Sequence, residues 1–160
     1  MDAIQHGGDP QVGNLATPLN SSDFSKVFIR NLPAYRPGLS GFRRGLEVGM
    51  AHGYFIYGPF LLLGPLRNTE VADISGLLAS VGLVSILTVA LSLYASAMGG
   101  APISTVTTPD IPKELSTKEG WSEFAGGFFV GGCGGAFFAY FICSSPQLNP
   151  LKDLLLGVLF

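Results

Sequence analysis

The 160-residue chain is 48% hydrophobic and only 12% charged, against about 25% charged residues in soluble domains, which places it toward the membrane class as a single domain. Its net charge of −2, with nine basic residues scattered along the chain, leaves no cationic face for a run of phosphates and excludes nucleic-acid binding. The two cysteines, Cys133 and Cys143, lie roughly 15 Å apart on one predicted helix, too far for a disulfide.

The first segment, residues 1–42, is rich in Gly, Pro, Asn and Ser, with turn signals at Asp9-Pro10 and Pro37-Gly38; it reads as an extended arm on the membrane surface. It contains no apolar core of a secretory signal and no arginine-rich start of a transit peptide. Phe24, Val27, Phe28 and Ile29 fit one short amphipathic turn that dips into the interface. A three-span domain follows over 43–145. The first span, about 45–64, is long enough to cross a hydrocarbon layer of about 30 Å but carries Glu47 and His52. The second, about 74–98, contains no charge and is the clearest crossing helix. Pro102, Pro109 and Pro112 then break the pattern, and the loop returns to the bilayer at Trp121, an interfacial anchor. The third span is expected over about 124–143. The tail, 146–160, ends in LKDLLLGVLF, too short to cross and suited to an interface or a partner. The expected fold class is therefore an all-α membrane protein of three transmembrane helices with an extended N-terminal arm and a short interfacial C-terminal segment.

Orientation follows from the basic residues. Lys26, Arg30, Arg36, Arg43, Arg44, Lys113 and Lys118 flank one side, against Arg67 and Lys152 on the other, which places the N-terminus in the cytoplasm or stroma and the C-terminus opposite. Glycines recur every four residues at Gly45, Gly49 and Gly53 in the first span and at Gly127, Gly131 and Gly135 in the third. Such stripes permit close helix packing; a second reading is that flat rings lie against them.

Glu47 and His52 carry the chemistry, because an ionisable group in a membrane span needs a partner. For Glu47 the simplest partner is Arg43 or Arg44, one turn earlier. His52 lies about 10 Å into the span, where snorkelling cannot reach water, so it must ligate a metal or bond another helix. At about 100° per residue the two side chains diverge by roughly 140° and serve separate partners. A bis-histidine haem is excluded within one chain, since no second histidine lies in a span. A magnesium macrocycle needs a single axial nitrogen or oxygen, and both residues qualify.

Five stretches are recognisable in order: GDPQVGNLATPLN (Gly8 to Asn20), NLPAYRPGLS (Asn31 to Ser40), RGLEVGMAHGYF (Arg44 to Phe55), LGPLR (Leu63 to Arg67) and EGWSEFAGGFFVGG (Glu119 to Gly132). Together they resemble the photosystem I reaction-centre subunit XI (PsaL) family. That resemblance implies a non-catalytic, three-helix peripheral subunit of the thylakoid membrane that binds chlorophyll a and β-carotene, contributes antenna pigments and mediates oligomerisation. It implies contact with the large core subunits PsaA and PsaB, with the small subunits PsaI and PsaM, with lipids and with neighbouring PsaL copies. It also makes Glu47 and His52 axial ligands of chlorophyll magnesium. Trimer-forming relatives carry a calcium-associated aspartate directly after LGPLR. Here the position is Asn68, near Pro65, a neutral and weaker oxygen ligand, so assembly is expected to depend little on calcium. The proline-bearing loop and the apolar tail favour a dimer or tetramer over a trimer. The competing reading is a small proton-coupled transporter subunit using Glu47 and His52 as a relay, which lacks an inverted repeat. No constellation of catalytic residues supports an enzyme.

Overall fold

Three serines and threonines set where the helices begin. The computed structural model describes residues 4–6, 11, 13–97, 101–150, 154 and 157. In chain order these form two short antiparallel strands, β1 (Gln5–His6) and β2 (Leu15–Ala16), and four helices: α1 (Asp23–Asn31), α2 (Gly41–Leu63), α3 (Ala72–Ala97) and α4 (Lys118–Cys143). The hydroxyls of Ser22, Ser40 and Thr117 accept the Ser25, Arg43 and Gly120 backbone N–H groups at 3.2, 3.3 and 3.0 Å, capping α1, α2 and α4.

These caps correct three sequence-based boundaries. The arm is not extended throughout: it folds into the β1–β2 pair and the nine-residue α1 rather than a single turn. The first membrane-length helix starts at Gly41 instead of Gly45. The last starts at Lys118 instead of Phe124, because Thr117 supplies a cap that lies past the prolines of the loop. Trp121 consequently sits in the first turn of α4, and its indole N–H donates to the Leu115 carbonyl at 2.7 Å. The apolar tail Leu151 to Phe160, and with it Lys152, lies outside the described residues except for Leu154 and Gly157.

The glycine stripes join α2 to α4 in parallel. A Cβ placed on Gly45 would lie 1.9 Å from the Phe124 carbonyl oxygen, one on Gly53 1.8 Å from that of Gly132, and one on Gly131 2.0 Å from that of Leu46. Backbone touches backbone along the whole seam, so the stripes serve helix packing and leave no room between α2 and α4 for a ring. α3 runs back antiparallel between the ends of the other two: Gly76 meets Leu61, and the Val84 side chain fills the space beside Gly132. One buried cluster gathers Tyr57, Leu61, Leu77, Ala136 and Ala139; another gathers Val84, Leu115, Phe124 and Phe128, tying the loop before α4 to the bundle.

Two helices, α3 and α4, are long and apolar enough to cross a membrane, with mean hydropathies of 2.2 and 1.5 over their best windows. α2 has 23 residues, about 34 Å at 1.5 Å per residue, but it is not among the helices that reach that apolarity, and Glu47 and His52 fall within its most apolar stretch. The outer faces are apolar: Phe55, Ile86 and Phe141 are 74%, 66% and 77% exposed. Along α3, the hydroxyls of Ser80, Ser85, Thr88, Ser92 and Ser96 each donate to the carbonyl four residues earlier, which satisfies them without water.

Candidate functional site

His52 lies on the exposed side of α2, and the helix itself presets its ring. Its Nδ1 is 2.8 Å from the Val48 carbonyl oxygen, four residues back. A carbonyl can only accept, so Nδ1 is the donor here, and a neutral ring with that tautomer has its lone pair on Nε2. Phe128 of α4 meets the ring edge-on at a centroid distance of 5.5 Å and limits its rotation. Nε2 has no protein partner among the described residues. One ring nitrogen is thus tied to a carbonyl while the other is left without a protein partner, the division of roles that a metal-binding histidine requires.

Glu47 is held differently. Its Oε2 accepts from the Arg36 guanidinium at 2.5 Å, in a pair whose side chains are 26% and 37% exposed. The expected partners, Arg43 and Arg44, are both displaced. Gly38, at φ 79°, supplies the left-handed residue that turns the arm back, so that Arg36 lies over α2. Oε1 has no partner among the described residues, so the carboxylate retains one oxygen for a ligand. Glu47 and His52 share no partner, as their angular separation predicts.

Arg44 is the residue that sequence reasoning underestimated. Its side chain is only 2% exposed. Nη1 donates to the carbonyls of Pro33, Ala34 and Arg36 at 3.2, 3.3 and 2.7 Å, and Nη2 to Glu114 at 3.3 Å. One buried guanidinium thus joins the arm, α2 and the loop before α4. The signal was its place next to Gly45 on the packed stripe; its partner, seventy residues away, had none. Tyr57 was missed likewise: it is buried in α2, and its hydroxyl donates to the Asp73 carboxylate at 3.2 Å, locking α2 to the start of α3.

Further contacts place the arm and the loop at the same end of the bundle. The Val106 N–H donates to Asn14 Oδ1 at 3.3 Å, the Thr107 hydroxyl to the Asn20 carbonyl at 3.1 Å, and Arg30 pairs with Asp110 at 3.5 Å. At the other end, Pro65 and Asn68 are both exposed in the turn between α2 and α3. Among the described residues, no three His, Cys, Asp or Glu side chains cluster as a metal site.

The seam of α2 on α4, the arm folded over it and the EVGMAH segment carrying both candidate ligands are built from the stretches that identified the family. A model of the photosystem I reaction centre subunit XI family matches residues 2–148. The chain belongs to that family. It is 63% identical over 155 residues to a photosystem I reaction center subunit XI of Crocosphaera subtropica, covering 97% of this chain and 99% of that one. It is 62% identical over 160 residues to the subunit XI of Synechococcus elongatus, covering 99% and 96%. To that of a Picosynechococcus species it is 69% identical over 143 residues, covering 89% and 94%. Membership in the subunit XI family gives the transporter reading no support.

Proposed function

We propose that this chain is a non-catalytic, pigment-binding subunit of photosystem I in the thylakoid membrane, with three spans and with its arm in the cytoplasm or stroma. The observation that carries the pigment reading is His52: an exposed imidazole whose Nδ1 is tied to the Val48 carbonyl and whose Nε2 has no protein partner among the described residues. His52 would hold one chlorophyll a magnesium through Nε2, and Glu47 a second through Oε1. A bound chlorophyll supplies light absorption and passes excitation to its neighbours. The protein residues bind and orient: Phe128 and Val48 fix the imidazole, and the Arg36 guanidinium holds one oxygen of the Glu47 carboxylate in place. The exposed aromatic and aliphatic faces of α3 and α4 suit β-carotene, lipid and the large core subunits PsaA and PsaB, with PsaI and PsaM among the small partners.

The third crossing is supported by register. α2 lies in parallel backbone contact with α4 from Gly41 beside Gly120 to Gly53 beside Ala136, so a bilayer that α4 crosses surrounds α2 at the same depth. Assembly into oligomers through this subunit's helices and tail, dimer or tetramer before trimer, completes the proposal. It is supported by the large exposed apolar faces, and little calcium dependence is expected with Asn68 at the turn. The decisive experiment is His52→Leu in the assembled complex. One chlorophyll per copy is expected to be lost from the extracted pigments, with helix content unchanged, since leucine is at home at that depth. An unchanged pigment count would refute the assignment.

A further inference from the structure

A cavity of about 330 Å³ opens between α1, the 101–117 loop and the start of α2, at the lower end of the range for small-ligand sites. Its charged lining is Lys26 and Arg30 from α1, Arg44 from α2, and Asp110, Lys113 and Glu114 from the loop. Arg30 pairs with Asp110 and Arg44 with Glu114. Lys26 and Lys113 have no acidic partner among the described residues, so the lining carries two cations more than it has carboxylates to pair with. Arg44, one of the lining residues, is almost wholly buried and keeps an Nε–H without an acceptor among the described residues. Two like charges facing one concavity repel unless an anion joins them.

We propose that this cavity binds a phosphate-bearing anion, and that its source is the headgroup of an anionic membrane lipid. Lysine ammoniums engage phosphate as point charges and need no bidentate geometry, which suits a headgroup entering from the side. The position selects the lipid. The cavity sits where α2 and α4 begin, level with the surface of a bilayer that these helices cross. α1 turns Lys26 and Arg30 toward it and leaves Phe24, Val27 and Phe28 exposed at 78%, 60% and 55% on the other side. A short helix with one basic and one apolar face is built to lie in an interface beside anionic lipid. Neither Glu47 nor His52 is among the residues that line this cavity.

The test is native mass spectrometry of the full chain in detergent micelles titrated with phosphatidylglycerol, with phosphatidylcholine as the neutral control. One phosphatidylglycerol retained per chain is expected, and retention of phosphatidylcholine is not. A Lys26→Gln, Lys113→Gln double variant should weaken phosphatidylglycerol binding roughly 30-fold, the effect of two juxtamembrane lysines. A Lys26→Arg, Lys113→Arg variant should retain it, which separates charge from side-chain identity. Circular dichroism confirms that each variant is folded. Equal retention by wild type and the glutamine variant would overturn the site. Inorganic phosphate that binds with the same lysine dependence, while phosphatidylglycerol does not, would keep the anion and overturn the lipid as its source. If neither probe binds, the proposal fails and the cavity is left to an acidic segment of a neighbouring subunit.

Discussion

Replacing Gly53 by alanine tests the backbone seam directly. A Cβ there would lie 1.8 Å from the Gly132 carbonyl oxygen, 2.7 Å from its carbon and 2.9 Å from the Ala136 nitrogen. All three are backbone atoms, so no rotamer change relieves the clash, and α2 and α4 must part locally by more than about 1 Å. A gap of 0.5–1 Å already forfeits about a quarter to a half of each dispersion contact, and overpacking a well-filled interface costs about 1–3 kcal/mol. The rigid backbone neighbours put Gly53→Ala at the top of that range, about 3 kcal/mol. Alanine returns up to ~1 kcal/mol through helix propensity, leaving a net loss of about 2 kcal/mol. Gly134→Ala, on the opposite seam helix α4 but with nothing within 4 Å, keeps the propensity gain alone and should be neutral or stabilised by up to ~1 kcal/mol. Unfolding the full chain in mixed micelles with increasing SDS, followed by circular dichroism, measures both. Equal midpoints for the two variants would show that α2 and α4 do not meet backbone to backbone.

Other outcomes follow from the same geometry. Arg44→Met should destabilise the chain by roughly 3 kcal/mol, because it strips a buried cation from three carbonyls and Glu114. Arg43→Met, exposed one residue earlier, should change stability by less than about 0.5 kcal/mol, and the same denaturation assay compares them. In a background lacking Cys133 and Cys143, cysteines at Ser22 and Thr117 should react with a membrane-impermeant reagent from one side and a cysteine at Ser145 from the other; reaction of all three from one side would overturn the topology. Truncation after Pro150 should weaken oligomers of mildly solubilised complexes on native gels, with little effect of calcium chelation. Intact oligomers would remove the tail from the interface.

Much of this was legible in the primary structure because it is periodic and local. The four-residue glycine spacing marks a face that must meet another backbone, and the charge-free run over 74–98 admits few other fates than a membrane helix. The Nδ1 partner of His52 in α2 is equally local, since Val48 is one turn away. What the chain order hides are pairings between distant segments. Glu47 has arginines three and four residues earlier, and the local rule selects them, yet the Gly38 turn brings Arg36 to it and sends Arg44 into the seam toward Glu114. Charge pairing depends on distance in space, and only the fold sets which of several equivalent arginines is near. The start of α4 shows the same limit from the other side. Hydropathy locates the apolar stretch from Phe124, but Thr117 decides the first turn through a single hydrogen bond that no hydropathy scale contains. The sequence by itself determined that there are three long helices and that Glu47 and His52 fall on the first of them. The parallel register of α2 on α4, the buried Arg44 link and the lysine-lined cavity were decided by tertiary structure, because each depends on segments that meet only after the arm and the loop fold onto the same end of the bundle.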